Sequence, residues 1–516
     1  MYNRRDVLKL SAATGLMLGV SNFAMRAAMA SDDALAFDAT TYTELTETIS
    51  TGTGDREVTY RFYKALAYVA KPVDAAYQSL NISVPTKIDG MDVDASKAPI
   101  LLANSVGGYM PSSVADATGV GGGGMGGMPD AGAGGDGAPV EVQSGGNAMI
   151  ANGEMVSNAK LALAAGYVVV EPGARGRTLV DADGEYYGVA PAAIIDLKAA
   201  VRYLRHNAGV VPGNTDWIIS SGTSAGGALS ALLGASGDDP IFDDDLAAIG
   251  AAQASDAIFA SGDWCPITDL EHADMAYEWN WGENPLQSGE LVDQIASSDL
   301  KGGFGDYIET LGLSGMYGPL HGDNYGEHLS ATFLQPAATQ YLAALSDTDR
   351  ASYLAANPEI TWTDGQASFT WAGFLAHVGA RKKSVPAFDA FDLSSGENNL
   401  FGLDRTAARH FTTYSLRRAS GDPGAELDAD LPKRLKQMNP MDFILADNPK
   451  RAKHWWIRVG TKDTDTALSV VGNLATALAN RGDDVDAAMY WDAGHGANED
   501  ADAFIAWIGK VTGYKA

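Results

Sequence analysis

The chain is 516 residues long, beyond the ~250–300 at which a single hydrophobic core stops growing, so one small module is excluded. Its 36 lysines and arginines face 65 aspartates and glutamates, a formal net charge of -29, which excludes electrostatic capture of nucleic acid or of an anionic membrane face. At 46% hydrophobic and 20% charged it has the content of a folded protein, and its single cysteine, Cys265, rules out an intramolecular disulfide, a multi-thiolate zinc site and an iron–sulfur cluster.

The N-terminus places Arg4 and Arg5 ahead of a mildly apolar stretch, Leu10 to Val20, followed by Arg26 and the small-residue site Ala28-Met29-Ala30. This looks like a twin-arginine signal peptide over residues 1–30, too short in its apolar part to span a bilayer, where ~20 residues are needed. The expected destination is the periplasm or the extracellular space. The twin-arginine export machinery is then a partner, and no stable membrane insertion is expected once the signal is removed.

From there to about Ser96 the polarity is mixed, with a β stretch at Val58–Leu66 and no readable function. Ala98–Ala103 is a short apolar run that predicts a buried strand and ends in Asn104-Ser-Val-Gly107-Gly108. Gly119–Gly137 is dominated by glycine. It contains a formal G-x-G-x-x-G at Gly122, Gly124 and Gly127, but no strand precedes it and no helical pattern follows, so it reads as a flexible loop and not as a nucleotide site. Then strands alternate with helices: Tyr167–Glu171, a helix over Pro191–Asn207, and Trp217–Ser220. That rhythm predicts a parallel sheet. It breaks from about Cys265 to Met438 and resumes with a strand at Trp455–Val459, a helix at Ala467–Arg481, a strand at Val485–Trp491 and a helix near Asp500–Val511. The expected organisation is a core in two parts, 31–264 and 439–516, interrupted by an insertion at 265–438.

The chemistry begins at Gly222-Thr-Ser224-Ala-Gly226, a G-x-S-x-G entered from a strand and left by a small-residue helix, Ala228 to Leu233. A nucleophile elbow requires that strand–turn–helix, with glycines where side chains would collide. A serine nucleophile needs a histidine base and an orienting acid, in the chain order Ser, Asp/Glu, His for this architecture. Of eight histidines only His454 and His495 follow the insertion, and His495 stands in the loop after the last predicted strand. For the acid, Asp463 and Asp465 compete on the loop after the preceding strand, with Asp492 a third candidate; Asp465 or Thr466 could instead cap the following helix. The oxyanion donors expected are the N–H of Ala225 and one from Gly107 or Gly108. Glu271, His272 and Asp274 offer metal ligands without further ligands at a regular spacing, so no metal site is expected.

These residues resemble the bacterial tannases, the single-chain type of the α/β-hydrolase superfamily. The likeness lies in Gly222–Ser230 (GTSAGGALS), Trp264–Trp279, Pro386–Asp392, Met438–Met441, the Asp463–Leu468 run and His495, and extends from about Pro99 to the C-terminus. It implies an α/β-hydrolase fold, a mostly parallel sheet flanked by helices with the insertion forming a large lid domain. It further implies a triad of Ser224, His495 and Asp463, and a site that grips phenolic hydroxyls with Asp465, Lys383 and Glu397; Lys382 adjoins Lys383, so the lysine could be either. Three adjacent ring hydroxyls each donate and accept, and two carboxylates with an ammonium satisfy both. The implied activity is a serine esterase acting on galloyl or related phenolic esters, with no cofactor, and the N-terminal signal makes it a secreted one. A feruloyl or broad carboxylesterase, a peptidase of the same fold and an inactive binding protein are the alternatives. The glycine-rich stretch departs from the family pattern, and the fungal tannase and feruloyl esterase type, built around a disulfide, is excluded by the single cysteine.

Overall fold

The computed structural model describes residues 34–122, 124–125, 148–151 and 154–515. The signal expected at 1–30 lies outside the described residues, as does most of the glycine-rich stretch. The described part of that stretch has its backbone held: Val120 N donates to the Tyr60 hydroxyl at 3.2 Å and Gly121 N to the buried Glu171 carboxylate at 3.1 Å.

A ten-stranded sheet organises the chain. Its main path uses β1 (Thr43–Thr51), β2 (Gly54–Ala67), β3 (Ser79–Ile88), β4 (Ile100–Ala103), β5 (Val168–Pro172), β6 (Ile218–Thr223), β7 (Ala260–Trp264), β8 (His454–Gly460) and β9 (Asp484–Tyr490). They lie in the order β1-β2-β3-β5-β4-β6-β7-β8-β9, and Met91–Asp92 adds a short strand beside β3. The pairings from β1 through β3 to β5 are antiparallel; those from β5 to β9 are all parallel. Strands β4 to β7 are buried along their whole length, as strands covered on both faces must be. The apolar runs at 98–103 and 167–171 therefore formed strands as expected.

Helices α1 (Asn158–Ala164), α2 (Ala192–His206) and α3 (Ala225–Ala235) belong to this first part of the chain, and α3 is buried at all eleven positions. Its small residues let it sit hard against the sheet: a Cβ on Gly234 would lie 2.7 Å from the Trp455 ring. Strands β7 and β8 are neighbours in the sheet, yet 189 residues, 265 to 453, separate them in sequence without adding a strand to it. That segment opens with α4 (Leu270–Trp281), contains the short helix α5 (Gly396–Leu400) among others, and packs an aromatic cluster in which Trp279 lies 5.3 Å from Phe304, 5.3 Å from Tyr325 and 5.0 Å from Trp371. Tyr325 joins it to α6 (Leu468–Asn480) by a 2.6 Å bond to Asn473. A last helix, α7 (Ala501–Thr512), follows β9. No helix among the described residues is long and apolar enough to cross a membrane.

Strand β4 is followed in sequence by its neighbour β5 on one side, and the chain then resumes with β6 on the other. Connections diverge at such a point and leave a crevice beyond the carboxyl ends of the strands. The turns after β4 and β6 are the Asn104–Gly108 loop and Ser224.

Candidate active site

Ser224 stands between β6 and α3 at φ 58° and ψ -121°, a conformation that non-glycine residues rarely adopt. The surroundings hold it there. Its N–H donates to Trp264 O at 2.9 Å and its carbonyl accepts from Ala228 N at 2.9 Å. The turn is so tight that a Cβ on Gly222 would lie 2.3 Å from Gly226 O, and one on Gly226 would lie 2.5 Å from Val106 O. Both glycines are thus required by the approach of backbone to backbone.

His495 follows β9 on a loop stitched to the one after β8. Thr461 N donates to Tyr490 O and Lys462 N to Ala493 O, each at 2.9 Å, and Asp492 N donates to Thr461 Oγ1 at 2.9 Å. These bonds bring the histidine and the Asp463 loop together. His495 Nε2 lies 2.9 Å from Ser224 Oγ, and Nδ1 lies 2.8 Å from Asp463 Oδ2. Asp463 is fully buried, and its second oxygen accepts from the N–H groups of Asp465 at 2.9 Å and Thr466 at 3.1 Å. Of the three loop aspartates, Asp463 is the one that meets the imidazole. Asp492 is instead taken up by His377 Nε2 at 2.6 Å, the Tyr353 hydroxyl at 2.5 Å and Lys462 at 2.9 Å. Helix α6 carries no side-chain cap.

Burial works against a charged imidazole, but the Asp463 carboxylate, aided by Cys265, holds the His495 pKa above the ordinary histidine value. Cys265 Sγ lies 4.0 Å from Nε2, and Cys265, Asp463 and His495 are the one group of three potential metal-ligating residues among the described residues. Asp463 and His495 are already bonded to each other, and His495 to the serine. Glu271, His272 and Asp274 do not gather: His272 is bonded to Asp269 at 2.7 Å and stacked on Tyr307, while Asp274 accepts the N–H groups of Phe388 and Asp389 at 2.7 and 3.0 Å.

The Asn104–Gly108 loop is locked to the elbow by one side chain. Asn104 Nδ2 donates to Ser221 O at 3.1 Å, Gly226 O at 3.1 Å and Ser230 Oγ at 3.0 Å. Among the described residues nothing accepts from the N–H of Ala225, Gly107 or Gly108, so all three donors remain available. The Gly108 carbonyl is held by Arg177 Nε at 2.8 Å, and the same guanidinium bonds Asn399 in α5 at 3.0 Å. Glu397, half-buried in the first turn of α5, is near enough for its charge to bear on Arg177 and Tyr109. Across the site Asp465 is paired with Lys382, not with Lys383, whose ammonium rests 3.9 Å over the Phe388 ring. Burial favours the neutral acid at Asp465, yet His495, Lys382 and Lys383 together keep its pKa below the usual aspartate value. Asp465 thus shares the loop of Asp463, Lys383 is joined to that loop through Tyr277, and Glu397 acts on the Gly108 side by its charge alone.

Residues 144–298, which include the elbow, match the family model described as BD-FAE. No curated protein sequence matches the chain. Among solved structures, a tannase from Fusobacterium nucleatum is 34% identical over 92% of this chain and 99% of its own, with a TM-score of 0.75. The native tannin acyl hydrolase from Lactobacillus plantarum is 35% identical over 92% of this chain and 98% of its own, also at 0.75. The chain belongs to the bacterial tannase family. As a tannase-family protein it is a carboxylic ester hydrolase of the α/β-hydrolase fold. A tannin acyl hydrolase solved in complex with ethyl gallate is similar to this chain to the same degree, 33% identical over 92% of it and 98% of its own, with a TM-score of 0.74.

The roles of several residues that organise this tannase-family site are not marked in the sequence, although Asn104 lies in the stretch expected to supply oxyanion donors and Tyr277 in the family-like block Trp264–Trp279. Asn104, Arg177 and Tyr277 each join segments far apart in the chain through backbone carbonyls. No short motif marks a side chain whose partner is a peptide group.

Proposed function

We propose that this protein is an exported serine esterase that hydrolyses galloyl or related phenolic esters through an acyl-enzyme. His495 takes the proton of Ser224 Oγ as the oxygen attacks the ester carbonyl, forming the tetrahedral intermediate. Asp463 fixes the tautomer with the proton on Nδ1 and stabilises the imidazolium. The intermediate's oxyanion takes hydrogen bonds from the N–H of Ala225 and of Gly107 or Gly108. The carbon–oxygen bond to the alcohol then breaks, and His495 returns its proton to that leaving oxygen. Water repeats the sequence on the acyl-enzyme, releasing the carboxylic acid and restoring Ser224. Carrying this reading is the single imidazole that bridges Ser224 Oγ at 2.9 Å and Asp463 Oδ2 at 2.8 Å.

For the acyl group, support comes from a family member in complex with ethyl gallate and another in complex with 3,4-dihydroxybenzoate, ligands whose ring hydroxyls are adjacent. In our reading Lys383, Glu397 and Asp465 take those hydroxyls, and the segment after Cys265 covers the ring as a lid. A site built to bond hydroxyls rejects an analogue that lacks them, because its own polar groups are left unpaired. The twin-arginine pattern at Arg4-Arg5 supports export to the periplasm or beyond. Replacing Ser224 by alanine tests the chemistry: hydrolysis of methyl gallate disappears, and retained turnover would sink the assignment.

A further inference from the structure

Helix α4 lies between the two loops that carry Lys383 and Asp465. Asp274, Tyr277, Glu278 and Trp281 recur at spacings of three and four and so share one face. That face is polar and reads backbone. Asp274 takes the N–H groups of Phe388 and Asp389; Glu278 makes a fully buried ion pair with Arg381, whose Nε donates to Lys383 O at 2.9 Å. On the other side, Trp281 Nε1 donates to Thr466 O at 3.2 Å. The Tyr277 hydroxyl touches both loops at once, donating to Thr464 O at 2.6 Å and accepting from Lys383 N at 3.2 Å.

Those two bonds fall on the peptide groups adjoining Asp465 and Lys383. The triad does not depend on them in the same way. Asp463 is held by two N–H groups of its own loop and by His495, and its loop is stitched to the histidine loop by Lys462 and Thr461. Loss of the Tyr277 hydroxyl therefore loosens the spacing between the ammonium and the carboxylate while the Ser224–His495–Asp463 chain keeps its own supports. The ring packs independently of the hydroxyl, edge-on to Phe388 at 6.0 Å and beside the Arg381 guanidinium at 4.9 Å, so phenylalanine can replace it without a cavity.

We infer that Tyr277 is a positioning residue that sets the distance between Lys383 and Asp465, and through it the preference for acyl rings with adjacent hydroxyls. This rests on the phenolic-ester reading above. Small misplacements of a recognising group are costly, and the bonds lost are those that fix the loops, not bonds to substrate.

The test compares Tyr277→Phe with wild type in the full chain, measuring kcat and KM for methyl gallate and methyl benzoate. The inference expects the gallate-to-benzoate ratio of kcat/KM to fall about tenfold, carried by KM for gallate. It also expects Lys383→Met to cost less in the Tyr277→Phe background than in wild type, since both changes act on one interaction. Wild type that prefers gallate, with a variant that keeps that ratio or loses both esters in proportion, overturns the inference alone. A wild type with no preference for gallate over benzoate overturns the phenolic reading and the inference with it.

Discussion

Lys382 and Asp465 form an ion pair, Nζ to Oδ2 at 2.9 Å, although Lys383 is the lysine that the family resemblance assigns to the phenol. The Lys382 side chain is 60% exposed, and such pairs contribute ~1 kcal/mol or less. Lys383, half-buried against Phe388, has its backbone fixed on both sides. Our account therefore expects Lys383→Met to raise KM for methyl gallate about tenfold or more and Lys382→Met to raise it by less than about threefold. The reverse ranking would move the phenol contact to Lys382.

The acid limb of the pH profile should report His495. The proposed mechanism needs the neutral imidazole, and the Asp463 carboxylate holds the pKa above the ordinary 6.5, so under it the inactive protonated form persists to higher pH than in a free histidine. In kcat/KM for p-nitrophenyl butyrate the half-point should lie above 6.5. Asp463→Asn removes the carboxylate but leaves the burial that favours the neutral ring. The limb then shifts to lower pH, while the plateau falls on the order of 10⁴-fold because the tautomer is no longer fixed.

Asn104→Ala should damage both stability and rate. Three acceptors on the elbow lose their donor at a buried position, which costs ~2–4 kcal/mol, measurable by urea unfolding. Because the same side chain registers the Gly107–Gly108 loop against Ser224, kcat should fall with KM little changed. A loss confined to stability would mean that the loop keeps its place without Asn104.

Much of this site can be read from sequence because the fold writes it locally. Strand β6 is a continuous buried run leading into a small-residue helix, so the elbow stands out, and His495 is the only histidine in a loop after a late core strand. The choice among Asp463, Asp465 and Asp492 could not be read from the residues alone, since all three are loop carboxylates; it depends on which one turns inward onto its own backbone. Three strands, β1, β3 and β7, are not among those the sequence predicts, and two of them escape the hydrophobic pattern outright. β1 is an edge strand buried only at Ile49, so its sequence is mostly polar. β7, Ala-Ser-Gly-Asp-Trp, lies mid-sheet, where the Ser261 hydroxyl donates to Asp263 at 2.6 Å and accepts from Ser220 at 3.0 Å. The bridging role of Tyr277 is invisible for another reason: its partner Thr464 O lies 187 residues away and is a carbonyl that any residue could present.

The most direct measurement is kcat/KM of the purified wild-type protein for methyl gallate, methyl ferulate and p-nitrophenyl butyrate under one set of conditions. Recognition by Lys383, Glu397 and Asp465 predicts that methyl gallate leads methyl ferulate by about tenfold or more, since ferulate lacks the three adjacent hydroxyls. Equal or faster hydrolysis of methyl ferulate or of the butyrate would contradict the account.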